Sequence, residues 1–80
     1  MTAEEIYASL NAIFQDVLDD DSIQIEAKTT ANDIPEWDSF NHINLVVAIE
    51  IQFGVKFGSY EVERLENVGD MVDLIQQKLA

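Results

Sequence analysis

Apolar residues recur at spacings of three and four through Ile6, Leu10, Ile13, Phe14, Val17 and Leu18, the rhythm of one face of a helix. Thr2, followed three residues later by Glu5, fits a capping box, so the spacing predicts an amphipathic helix from about Ala3 to Leu18. The acidic run Asp19-Asp20-Asp21-Ser22 ends that rhythm. From Asp19 to Trp37 only Ile23, Ile25 and Ile34 interrupt polar sequence, which predicts a loop pinned to the core at those three points. A connection of this length is unusual in a small domain and points to a working segment or to a short helical turn without a periodic signal. Pro35 excludes helix at Ile34.

Asp38 is a good N-cap, and a second helix is expected from Ser39 to about Gln52, with Gly54 where a left-handed terminal residue belongs. Ser59 is expected to cap a short helical turn over Tyr60 to Arg64. Asn67, with Asp70 three residues on, is expected to cap a last helix whose stripe is Val68, Met71, Val72, Ile75 and Leu79. Val55-Lys56-Phe57 alternates but is too short to build a sheet. The expected fold class is all-α: a small bundle of three main helices and one short one, with a long loop between the first and second helices.

The second helix departs from the usual single stripe. At about 100° per residue its apolar positions divide into two sets on nearly opposite sides. Leu45, Val46, Ile49 and Phe53, with His42 beside them, form the longer and bulkier set and are assigned to the core. Phe40, Ile43, Val47 and Ile51 form the other. A chain this small can hardly surround a helix, so the second set is expected to stay exposed as a docking surface. The competing expectation is that the long loop and the short helix bury both.

Composition sharpens this picture. Eighty residues make one domain, 1–80, with room for one core but not for two lobes around a large substrate cleft, so a self-sufficient enzyme is not expected. Sixteen acidic against four basic residues give a net charge of -12, which disfavours nucleic acid and anionic membranes and favours partners with basic patches. The same charge favours a monomer. With no cysteine, the polypeptide supplies no disulfide, no thiolate metal site and no thiol nucleophile. No run approaches the length of a membrane span, and the first residues lack the pattern of a secretory signal, so a cytoplasmic protein is expected.

Ser39 stands in the first turn of the second helix, directly after the cap Asp38. Free amides and the positive end of the helix dipole favour an anion there, so a phosphate esterified to this hydroxyl would be stabilised. Asp38-Ser39-Phe40, followed by Ile43, Leu45-Val46, Ala48-Ile49-Glu50, Phe53 and Phe57, closely resembles the acyl carrier proteins. The resemblance covers nearly the whole chain and includes Asn67-Val68-Gly69-Asp70 at the start of the last helix. It implies that Ser39 carries a 4'-phosphopantetheine arm, transferred from coenzyme A by a phosphopantetheinyl transferase, with Asp38 as its motif neighbour. The arm's thiol would hold acyl groups as thioesters for acyl-loading and acyl-processing enzymes. It also implies a docking surface whose apolar part is Phe40, Ile43 and Val47, with negative charge from Glu50, Glu61 and Glu63. Shelter for an acyl chain would lie among Leu45, Val46, Ile49, Phe53, Val62, Leu65, Val68 and Leu74.

Some positions depart from the family's pattern. Phe40 replaces the usual Leu, Ile34-Pro35-Glu36-Trp37 replaces a Gly-containing turn, and Asn44 and Ile51 stand where carriers of primary fatty acid synthesis are often acidic. The docking face is thus more apolar, as expected of a carrier for a specialised lipid, polyketide or aminoacyl route. The remaining signals read plainly. His42 has no acidic orienting partner and is expected to pack or cap, so no catalytic residue is assigned. Asp19 to Asp21 with Glu26 lack the glycine and closing glutamate of a calcium loop, so no metal site is assigned. Trp37 is either a lid beneath the arm or a loop anchor. A different class of function stays open: an acidic helical adaptor that binds a basic partner through Phe40, Ile43, Val47 and Ile51 without a prosthetic group.

Overall fold

The computed structural model describes residues 1–80 and contains four helices and no strand. Helix α1 spans Ala3–Val17, α2 Ser39–Phe53, α3 Ser59–Glu63 and α4 Val68–Leu79. Each expected helix forms, with shifts of a residue or two at the ends. No helix is long and apolar enough to cross a membrane.

The capping box is present at α1: Glu5 N–H donates to Thr2 Oγ1 at 3.2 Å and Thr2 N–H donates to Glu5 Oε1 at 2.8 Å. Both bonds, the backbone one first, hold the Glu5 carboxyl below its ordinary value. Ile6, Leu10 and Phe14 follow at intervals of four and are fully buried, each removing enough apolar surface to contribute about 1.5–3 kcal/mol. Helix α1 packs against both α2 and α4. Leu45, Val46 and Ile49 meet it from α2, and Val68, Met71, Val72 and Ile75 from α4, in one cluster that also takes in Ile23, Ile34, Trp37 and Leu65. Leu79, the last residue of the expected α4 stripe, is exposed at the final position of the helix.

The long connection contains only turns, so the hidden helix does not exist. It is ordered by α1 instead. Asn11 Oδ1 accepts from Ile25 N–H at 2.8 Å and Gln15 Nε2 donates to the Ile23 carbonyl at 2.9 Å, while Ile23 and Ile34 are buried beneath the loop. Thr29, the one buried polar residue, has its hydroxyl oxygen satisfied by Glu26 N–H at 2.8 Å. The loop then closes on α4: Val68 N–H donates to the Thr29 carbonyl at 3.0 Å and Gly69 N–H to the Ala27 carbonyl at 2.8 Å. A Cβ on Gly69 would stand 3.0 Å from that Ala27 oxygen, tighter than ordinary contact, so glycine favours the close approach.

Candidate functional site

Asp38 caps α2 as its sequence position predicts, its Oδ1 accepting from Asn41 N–H at 2.8 Å. The Asn41 side chain donates to the Glu36 carbonyl at 2.8 Å and fixes the approach of the chain. Ser39 is the first residue of the helix and is exposed. The amides of Ser39 and Phe40 have no acceptor within the protein. An exposed hydroxyl therefore stands beside two free donors at the positive end of a 15-residue helix. A phosphodiester on that oxygen fits the chemistry of the donor set. At the other end Gly54 closes α2 in the left-handed region at φ 67°.

The two apolar stripes separate as expected. Leu45 and Ile49 are fully buried, whereas Phe40 is 75% exposed, Ile51 78%, Ile43 55% and Val47 47%. Phe53 is half-buried at the edge of the core. The exposed stripe begins at Phe40, directly beside Ser39, and runs along α2 to Ile51.

Two of the three expected docking charges are engaged within the protein. Glu50 is half-buried, and its Oε2 accepts from Phe57 N–H at 2.8 Å, which draws the carboxylate towards the chain leaving α2. Glu61 accepts from Gly58 N–H at 2.8 Å and pairs with Lys78 Nζ at 3.0 Å. The Gly58 bond foremost, then Lys78, hold its carboxyl below the ordinary value. Because Glu61 takes that amide, the residue preceding α3 is Gly58, and Ser59 lies inside the helix instead of capping it. Glu63 remains exposed.

Sequence reasoning missed the use made of Trp37 and His42. Trp37 is buried and meets Phe14 edge-on with ring centroids 5.0 Å apart, so it is a loop anchor. Its Nε1–H donates to His42 Nδ1 at 3.1 Å, and the two rings stack at 6.0 Å. The indole can only donate, so Nδ1 is the unprotonated nitrogen and the proton lies on Nε2, 3.3 Å from the Val62 carbonyl. An aromatic five residues before a histidine across a helix start was the only available hint. No group of three or more acidic, histidine or cysteine side chains is placed to hold a metal ion.

The structure is thus a small helical bundle with an exposed serine at the start of α2, flanked by an exposed apolar stripe. No protein-family model matches the chain. It is 33% identical to the acyl carrier protein of Thermotoga maritima over 76 residues, which cover 95% of this chain and 94% of the relative. It is 31% identical to that of Thermosynechococcus vestitus over 80 residues, covering 100% and 99%. Among solved structures, a holo acyl carrier protein from Geobacter metallireducens superposes with a TM-score of 0.86 at 46% identity, covering 91% of this chain and 84% of that one. The crystal structure of a Thermotoga maritima acyl carrier protein gives 0.85 at 22% identity, covering 96% and 89%, which supports the fold alone. The chain belongs to the acyl carrier protein family. It is accordingly a carrier and not an enzyme, and the group its family carries is a covalently attached 4'-phosphopantetheine.

Proposed function

We propose that the chain acts as a single carrier domain, 1–80, and that the arm is esterified to Ser39. The observation that carries this reading is the exposed Ser39 hydroxyl at the start of α2, beside the unpartnered amides of Ser39 and Phe40. The amides and the helix dipole hold the phosphodiester, while Asp38 fixes the first turn. When bound, the arm supplies the thiol on which acyl groups ride as thioesters. Phe40, Ile43, Val47 and Ile51 form the partner-facing stripe, and the exposed Glu63 supplies charge at its edge, with Glu50 and Glu61 contributing only their residual field.

The partners of this reading are a phosphopantetheinyl transferase and acyl-loading and acyl-processing enzymes with basic surfaces, in the cytoplasm, met by a monomeric carrier. The uncharged Asn44 and Ile51 on the exposed side of α2 support a specialised lipid or polyketide-type route over primary fatty acid synthesis. Incubation with coenzyme A, magnesium and a broad-specificity transferase is expected to add the mass of one phosphopantetheine, and Ser39→Ala to abolish the gain. An unchanged mass with several such transferases removes the reading.

A further inference from the structure

Beside Ser39 a groove runs between the start of α2 and α3, lined by Trp37, Ser39, His42, Ile43, Val62 and Leu65. Leu65 is buried and belongs to the core cluster, so the floor of the groove is also the roof of the core. His42 crosses this boundary. Its ring receives the Trp37 N–H on one side and faces the Val62 carbonyl of α3 on the other. Trp37 in turn is braced on Phe14 of α1. Helix α3 has five residues and none fully buried, and its other ties are the packing of Val62 on the core, the capping bond of Gly58 and the half-buried Glu61–Lys78 pair. It is the least secured helix of the fold and the one that must move for anything to pass between α2 and α3.

We propose that His42 is a latch that holds α3 against α2 and thereby keeps cargo on Ser39 in the outer groove, out of the core. The inference rests on the carrier reading above. His42 acts as a positioning residue: parting the helices breaks the bond to Val62, for which Trp37, on the α2 side, keeps the ring aligned, and this disfavours the open crevice about fivefold for one net hydrogen bond. An alkyl chain released into water by a closed crevice leaves its thioester as accessible as a free one.

The test loads the full chain with an octanoyl-phosphopantetheine arm from octanoyl coenzyme A, confirmed by intact mass. It then compares holo and octanoyl forms by methyl NMR of Leu45, Ile49, Leu65 and Val68. In the native sequence the core methyls are expected to stay in place on loading, and hydroxylamine to cleave the thioester as fast as free octanoyl-pantetheine. In His42→Ala the core methyls are expected to shift, and cleavage to slow by about threefold or more as the chain enters. Trp37→Phe keeps the ring on Phe14 but deletes the donor, and is expected to give the same response in smaller measure. Core shifts on loading the native sequence, or no core shift in either variant, overturn the latch. A chain that accepts no arm at all fails at the mass measurement and takes the carrier reading with it, whereas a loaded chain with the wrong methyl response removes the latch alone.

Discussion

Helices α2 and α4 begin in the same way and finish differently. Each has a polar N-cap, Asp38 or Asn67, whose side-chain oxygen accepts from the amide three residues on at 2.8 Å. At the two intervening positions they part. In α4 the loop brings carbonyls to both amides, Thr29 to Val68 and Ala27 to Gly69, and the glycine exists to let the second come close. In α2 the equivalent amides, Ser39 and Phe40, meet no protein acceptor, and an exposed Phe40 stands where Gly69 stands in α4. One helix start is used up in holding the fold together. The other is held in shape by its cap and left able to accept an anion, as the proposed phosphodiester on Ser39 requires.

The largest expected effect comes from disturbing the closed terminus. Gly69→Val places a branched side chain against the Ala27 carbonyl and forces loop and helix apart, at a cost of about 2 kcal/mol or more. In a domain of this size that is roughly a 10 °C loss in Tm. Phe40→Val at the equivalent position of α2 is expected to change stability by less than about 0.5 kcal/mol, because the ring is 75% exposed. Thermal melts of the two variants side by side check the contrast, and equal losses would show that the two termini are not distinguished by what covers them.

The short helix α3 offers a third kind of terminus, held by a charge. Gly58 N–H is taken by the Glu61 carboxylate, which that bond and Lys78 keep ionised to lower pH than usual. A lowered folded value means that the stabilisation is fully present above the unfolded value, 4.5, and is lost as pH falls through the folded one. The Gly58 amide is therefore expected to shift and exchange faster in the window below pH 4.5, whereas the Val68 and Gly69 amides, held by backbone carbonyls, do not respond directly. An NMR titration from neutral pH into the acid range reads both. Simultaneous movement of all three amides would mean global acid unfolding in place of a local release. Glu5 and Asp20, held low by Thr2 and by the Ser22 hydroxyl first, follow the same sign.

What sequence made legible divides along the same line. Apart from the start of α3, what is set within one turn of helix could be read from residues three or four apart: the capping box at Thr2, the caps Asp38 and Asn67, the stop at Gly54 and the two stripes of α2. What depends on partners forty residues away could not. Nothing in Ala27 or Thr29 announces that their carbonyls serve α4, although Gly69 inside a helix, where glycine is about 1 kcal/mol worse than alanine, was a mark of close approach. Glu50 reads as a surface charge on any helical wheel, and only the path of the chain past Gly54 brings Phe57 N–H to it. Ser59 was misread by one position because the bond that starts α3 comes from Glu61 to Gly58, and a glycine shows no side chain to recognise as a cap.

The smallest expected effect tests the open terminus itself. Attaching the arm to Ser39 places a phosphodiester charge beside two unpartnered amides and the helix dipole, so holo protein is expected to be more stable than apo by about 0.3–1 kcal/mol at low salt. The chain's net charge of -12 opposes this through a general repulsion that also weakens with salt, so the two contributions must be separated. Ser39→Asp does so, since it adds a charge at the same residue on a shorter side chain and cannot be extended by the arm. Urea titrations of apo, holo and Ser39→Asp proteins at low salt and at high salt are expected to show a holo gain that shrinks as salt rises, with Ser39→Asp following it in sign. If added negative charge at residue 39 destabilises the fold at low salt in both forms, the repulsion of the whole molecule outweighs the terminus, and the amides of Ser39 and Phe40 are open without being electrostatically useful.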